Sequence, residues 1–437
     1  MDEEWVIELN QELKRLKDEA LVEECQWGKR SIYKVPTRMT DKNKKAFQPQ
    51  VVSFGPYHHG EEHLMPMEEH KHRALFHFLE RTNMSLQSIV DNLTKVVEDL
   101  KDSYDLLGDD WQSETGRFLR LMVLDGCFML EVLCYYDRRD RFGNYAPNDP
   151  IFSFPGNLHV MPYIRRDMLL LENQLPLRVL IELAAGIYPE KRHAREFVNR
   201  LIFWFTKSIS SDTRECLHLL DIFRKGMLWS SPIERRGGII HIFDDCEITV
   251  SATELHEAGI SFEAIGTGRT IGRIEEISFK DRVFRLPFLV VDDTTESMFL
   301  NLMAYERLHV GAGNEVTSYV YFMGTIIKNV RDVILLKSNY IIQNGIGSEE
   351  AVVELFKSLS KGVMYNPNSI VGWVLRDINV HRRKPWVKYR ANFFHGYHVS
   401  TQWNPWAYWS IIFAILLFTL TVVQTAYTIF PYYRQNK

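Results

Sequence analysis

Apolar and polar residues recur with a helical period along most of this chain. Residues 3–22 place Trp5, Leu9, Leu13, Leu16 and Ala20 three or four apart with Glu and Lys between them. That spacing predicts an amphipathic helix packing on the body or on a partner. Residues 32–57 carry Pro36, Pro49, Gly55 and Pro56 and read as an extended, turn-rich segment. Helical spacing follows from Glu68 to about Asp105 and from Glu114 to Tyr136, then breaks between Gly143 and Asn157. It resumes over 163–185, 191–208 and 214–228. Between Gly237 and Val291, short β-branched or aromatic runs appear: Ile239 to Phe243, Ile248 to Val250, Ile277 to Phe279 and Phe288 to Val291. They predict a small antiparallel sheet inserted in a helical protein. Helices return over 295–309, 317–343 and 349–361, with Ser348 as an N-cap for the last.

The end of the chain breaks this amphipathic pattern. From Trp406 to Phe430 no residue is charged, and Ile411 to Leu420 is apolar except for Thr419. A helix of that length reaches roughly 37 Å at about 1.5 Å per residue, enough for a hydrocarbon core of about 30 Å. Trp403, Trp406, Tyr408 and Trp409 on one side and Tyr427, Tyr432 and Tyr433 on the other suit interfacial belts. The expectation is a single-pass transmembrane helix over 406–430 with a short tail, 431–437, inserted after synthesis.

The whole chain of 437 residues carries a net charge of −4. Residues 381–437 hold seven Lys or Arg and no acid, leaving 45 cations against 56 carboxylates, a net −11, on residues 1–380. An acidic body excludes nucleic acid as a natural partner, since phosphate binding needs a basic face. Arg382, Arg383, Lys384, Lys388 and Arg390 form a basic neck suited to membrane lipid headgroups. The same positive bias upstream of the span places the body in the cytosol, at a plasma membrane. Cys25, Cys127, Cys134, Cys216 and Cys246 form no paired framework, which suits a reducing compartment. No signal peptide is visible at the acidic N-terminus. The sequons at Asn83 and Asn92 weigh against a cytosolic body only slightly, being frequent by chance.

Chemical candidates are few. His58, His59, His63, His70, His72 and His77 cluster, and His59 to His63 matches an H-x-x-E-H pattern. That motif serves zinc only on a helix, and Gly55-Pro56 with Gly60 make a turn the better reading, the imidazoles bonding backbone and capping the next helix. Asp125 and Glu131 interrupt an apolar run, and a buried carboxylate there needs a cation, for which Arg165, Arg166 or Arg178 are available. Glu172-Asn173-Gln174 sits between apolar runs and reads as a buried hydrogen-bond network that docks helices. There is no GxSxG, HExxH, phosphate loop or kinase signature, so no cofactor, no metal and no catalytic residue is assigned. Two alternatives stand beside this: a metal-dependent enzyme using the His58–His77 cluster, and a channel subunit lined by Thr419, Thr421, Gln424, Thr425 and Thr428.

Several stretches together resemble a plant family known as domain of unknown function 247. They are Ile32 to Pro36, Val51 to Gly60 with its Gly55-Pro56-Tyr57-His58-His59, and Met67 to Lys71 with its His70-Lys71. Asp125-Gly126-Cys127-Phe128, Leu169 to Pro176, Ser251 to Ile260 with Glu254, Asp292-Asp293 and Asn404 to Ala407 continue it in order. Departures are local: His72 where an aromatic is usual, Glu61-Glu62 in a variable spacer, and Ile274 to Ile277 before the sheet segment. The resemblance implies single-pass membrane proteins without established catalysis, some grass members being associated with pollen-side self-incompatibility and others with growth, stress or defence. The resulting expectation is mostly α: an N-terminal helix (1–30), one α-rich domain with a small sheet (31–380, sheet about 237–291), a basic neck (381–405) and the anchor. Its role would be recognition or signalling through protein contacts, with a secreted peptide or another membrane protein as partner.

Overall fold

A computed structural model describes residues 5–6, 8–10, 12–15, 28–41, 43–137, 145–188, 190–206, 216–228, 250–266 and 272–384, and the C-terminal helix Trp406–Gln435. The longer helices are α1 (Pro66–Thr82), α2 (Leu86–Thr94), α3 (Thr115–Tyr136), α4 (Met161–Asp167), α5 (Leu177–Ala185) and α6 (Lys191–Thr206). They continue as α7 (Leu219–Leu228), α8 (Ala252–Glu257), α9 (Thr295–Leu308), α10 (Glu315–Ile326), α11 (Val330–Ser338), α12 (Glu349–Ser360), α13 (Ile370–Arg382) and α14 (Trp406–Gln435).

Helix α3 is the hub. From Leu121 to Cys134 every side chain is buried, and apart from Asp125 and Glu131 all but Gly126 are apolar side chains, as befits a helix surrounded by others. Helices α1, α5 and α6 pack against it. Gly126 lets α5 approach: a Cβ there would lie 2.6 Å from Leu183 Cδ1 and 2.8 Å from Val179 Cγ1. The second half of the body gathers α9, α10, α12 and α13 around Phe299, Tyr319, Phe322 and Phe356, all buried. One hydrophobic core runs through both halves.

The strands differ from the expected antiparallel insertion. β1 (Ser261–Ile265) pairs parallel with β3 (Val283–Pro287), and β2 (Ser278–Lys280) pairs antiparallel with β3, giving the order β1-β3-β2. β4 (Leu289–Val291) pairs parallel with β5 (Ile342–Asn344). The sheets are therefore mixed, and the expected runs 239–243 and 248–249 lie outside the described residues. The helix expected over 317–343 is two helices and a strand: Asn329 and Asp332 form a capping box that starts α11, and Tyr340 at φ 58 turns the chain into β5. The helix expected over 68–105 breaks at Asn83, which ends α1 at φ 53, and Ser85 caps α2 anew. The helix expected over 163–185 is interrupted by the turn 168–176 between α4 and α5. Ser348 caps α12 as expected, its Oγ accepting from the Ala351 amide at 3.1 Å.

Described residues of the N-terminal segment are helical, but Trp5, Leu9 and Leu13 are exposed rather than packed on the body. Helix α14 forms over the expected stretch. Among the described residues, however, no helix is long and apolar enough to cross a membrane. The expected transmembrane span is therefore not found among the described residues. The hydroxyls of Thr419, Thr421, Thr425 and Thr428 bond carbonyls of their own helix one turn back, which weakens the expected channel lining.

Candidate functional site

Most of the residues singled out in the sequence converge on the stretch 45–58, which is largely buried from Ala46 onwards and beyond Ala46 is neither helix nor strand. Its backbone donors and acceptors must then be satisfied by side chains. Asp167, at the end of α4, accepts from three successive amides, Gln50, Val51 and Val52, at 2.7–3.1 Å. Arg166 donates to Asp167 at 2.8 Å and to the carbonyls of Gln48 and Lys45. Asn173 accepts from the Phe54 amide at 2.7 Å and donates to the Val52 and Asp167 carbonyls. Asn301 of α9 accepts from Leu171 N–H and donates to Ala46 O, where Ser297 also donates. Gln174 donates to the Met168 and Leu170 carbonyls and accepts from Leu220 N–H, tying the turn to α7.

At Gly55 the segment meets α3. Its φ of +73 favours glycine, and a Cβ would lie 2.9 Å from Tyr104 Oη and 3.0 Å from Gln174 O. The Gly55 amide donates to Asp125 Oδ2 at 2.8 Å, while Asp125 Oδ1 lies 2.7 Å from Lys71 Nζ. Lys71 also reaches Glu68 at 2.6 Å and Ser53 Oγ at 3.2 Å. The cation for Asp125 is thus Lys71 of α1, not Arg165, Arg166 or Arg178. Lysine fits because α1 lies against α3 and a lysine stem spans the gap between them. Burial pushes the Asp125 carboxyl up to about 6, against Lys71 and the Gly55 amide. Glu131 is held by Arg81 of α1, at 3.0 Å from Nη1, and by Tyr145 at 2.9 Å.

The histidines disperse. His58 bridges two carboxylates: Nδ1 lies 2.7 Å from Glu61 and Nε2 3.2 Å from Glu172, which also accepts from the Val35 amide. Burial lowers its pKa, but hydrogen bonds from Glu172 and Glu61 and their charges outweigh this and raise it. His59 packs edge-on against Trp111, and burial lowers its pKa. His63 reaches the Pro49 carbonyl, His72 the Glu68 carbonyl, and His77 stacks near Tyr145. Burial also lowers His70. The backbone-bonding role expected of the turn is present at His63; His72 lies within α1 and bonds its own helix, and no side chain caps the start of α1. His59 to His63 is a turn and a short 3-10 helix, so the protease-like motif has no helical face. Among the described residues, no group of three or more His, Cys, Asp or Glu is placed to hold a metal ion.

The remaining predicted residues are local devices. Tyr57 donates to the Ile32 and Asp105 carbonyls, and Pro56 and Pro176 shape the turns at either end of the clamp. Glu254 completes a capping box with Ser251 at the start of α8. Asp292 accepts from Thr294 N–H and from the Thr294 and Thr295 hydroxyls just before α9, while Asp293 is exposed. In the neck, Arg383 and Lys384 are exposed, and Arg382 is half-buried within the field of Glu254. Lys388 and Arg390 lie outside the described residues, as does the Trp406 side chain; Trp409 is exposed.

A second cluster has no signal in the sequence pattern. His218 accepts from the Asp221 amide, meets the Ser31 carbonyl at 3.0 Å and is held neutral by burial, its pKa pushed down to about 4. Tyr33 Oη lies 3.0 Å from His309 Nδ1, and the His309 ring stacks on Tyr305. Arg224 joins Glu306 and Glu315, and Glu306 accepts from the Val316 and Thr317 amides. These partners come from three distant segments, so no local spacing announces them.

Nearly every acid in both clusters has its oxygens committed to backbone amides or buried cations. The arrangement orders chain segments. Two relatives in Arabidopsis thaliana are similar over nearly their whole length. The UPF0481 protein At3g47200 is 32% identical over 94% of this chain and 89% of its own. The putative UPF0481 protein At3g02645 is 20% identical over 98% and 96%. No solved structure matches. A family profile described as a plant protein of unknown function, DUF247, matches residues 32–420, and this chain belongs to that family.

Proposed function

We propose that this protein is held at a membrane by α14 and acts through protein contacts in recognition or signalling, not by catalysis. The observation that carries the reading is the burial of Asp125, Glu131, Asp167 and Glu306 on internal partners, where they tie chain segments together and are not presented to solvent. Anchoring is supported by the uncharged sequence from Trp406 to Phe430 and by exposed Ile412, Phe413, Leu417 and Phe418 on α14. Such a row of apolar side chains facing outward needs lipid or another protein around it. The positive charge upstream of α14 supports a cytosolic body at the plasma membrane, receiving its signal from a membrane partner.

Alkaline carbonate extraction of membranes from plant cells expressing the full chain tests the anchor. Retention in the pellet, lost in a chain ending at residue 405, is the expected result; release of the full chain would refute it. Protease protection of the same membranes then assigns the side. A degraded body in right-side-out vesicles would turn the topology around and make a secreted partner the reading to pursue.

A further inference from the structure

The turn between β2 and β3 has an unusual composition. Lys280 pairs with Val283, so Asp281 and Arg282 form the whole connection. Both are left-handed, at φ 52 and 66, a conformation that two-residue hairpins normally give to Asn-Gly. Arg282 therefore sits strained and exposed at a tip where glycine would be relaxed, and strain of this kind concentrates at functional positions. The hairpin leans on the last turn of α13: the rings of Phe279 and His381 meet at 5.5 Å and 71°. Burial, Lys384 and Arg282 together keep His381 below its ordinary pKa, so cations from the hairpin and from the helix end share one field. On α13, Arg376 and Val380 are exposed four residues apart on one face, and Arg383 and Lys384 are exposed just past its end. Val380 is 59% exposed among these cations. Asp281 and Asp377 are interspersed and Glu254 lies near Arg382, yet Lys280, Arg282, Arg376, Arg383 and Lys384 outnumber them on a body whose residues 1–380 carry a net −11.

We propose that the β2–β3 tip and this face of α13 form one cationic surface that seats the body on anionic lipid headgroups. The proposal rests on the anchoring reading above. A body of net negative charge is repelled overall by such a leaflet, and only residues 385–405 separate Lys384 from the start of α14 in the sequence, which keeps this surface close along the chain to the anchor. Each Lys or Arg close to an anionic leaflet adds about fivefold to partitioning, and the attraction fades over a Debye length of about 10 Å.

The test uses the full chain in nanodiscs of phosphatidylcholine alone or with phosphatidylserine, with amide hydrogen exchange followed over residues 278–284 and 376–384. Added protection in the anionic discs, removed by high salt and by the double variant Lys280→Ala, Arg282→Gly, is expected. Arg282→Gly removes the cation at a left-handed position that glycine adopts without strain, and the unfolding midpoint of the double variant checks that it keeps its fold. Charge-keeping Lys280→Arg, Arg282→Lys retains the protection. Equal exchange in both discs overturns the proposal while leaving the anchor standing. Protection by soluble polyglutamate but not by anionic discs assigns the surface to an acidic protein and also overturns it. Failure of the full chain to enter any disc refutes the anchor and the proposal with it.

Discussion

Lys71 Nζ lies 2.7 Å from Asp125 Oδ1, and both side chains are fully buried. A buried pair is costly to break and cheap to replace whole, because each ion alone would sit uncompensated in a low dielectric. Lys71→Met should therefore cost about 3–5 kcal/mol, as should Asp125→Leu. The double variant should recover part of that loss, leaving the Gly55 amide and the Glu68 carboxylate without their partners. Urea unfolding of the four proteins measures this; additive losses would mean the pair does not interact.

Asn173 holds the stretch 45–58 at both its donors and its acceptors. Asn173→Ala leaves the Phe54 amide and the Val52 carbonyl buried without partners, at about 1–3 kcal/mol for each such group. Asn173→Asp keeps the acceptor but replaces the donor with a charge, and should be at least as damaging. Limited proteolysis should then cut within 45–58 before any other described part of the body. Unchanged cleavage would show that Asp167, Arg166 and Asn301 hold the segment without Asn173.

Local features of this fold were legible and long-range ones were not. The run Glu114 to Tyr136 is one helix because its apolar residues cover every face, and Ser348 caps because its hydroxyl acts three residues away. The apolar stretch 317–343 looks uniformly helical, yet Ile342 belongs to a strand whose partner, Leu289, is far off in sequence. Periodicity carries no information about that pairing. The polar triplet 172–174 was recognisable as a docking network from its apolar flanks. The backbone groups it serves, and the choice of Lys71 for Asp125, depend on how α1 and α3 are set side by side.

Gly126 gives a further test of that helix packing. A methyl group added there would meet Leu183 Cδ1 and Val179 Cγ1 well inside contact distance. Although alanine is the better helix former by about 1 kcal/mol, overpacking of a filled core costs typically 1–3 kcal/mol. Gly126→Ala should thus be destabilising, and adding Leu183→Ala should relieve the clash. A stabilised Gly126→Ala protein would mean that α5 can shift away from α3 freely.

Two histidines give the stability opposite slopes with pH. His58 is raised above its ordinary 6.5 because Glu172 and Glu61 outweigh burial, so its contribution is complete below 6.5 and fades as pH rises through the higher folded value. His218 is lowered by burial to about 4; the unfolded chain takes up its proton first, and stability falls as pH drops from 6.5 towards 4. That span corresponds to about 3 kcal/mol. Burial of His59 and His70 lowers them too and adds to the acid loss, while Asp125, raised to about 6, opposes it by binding its proton more readily when folded. Comparison of variants separates these terms. His58→Gln should flatten the profile above 6.5 and leave the acid side unchanged, whereas His218→Asn should flatten the profile below 6.5. Parallel pH profiles of unfolding midpoints for wild type and His218→Asn would show that His218 is not the group whose protonation opens the segment around Ser31.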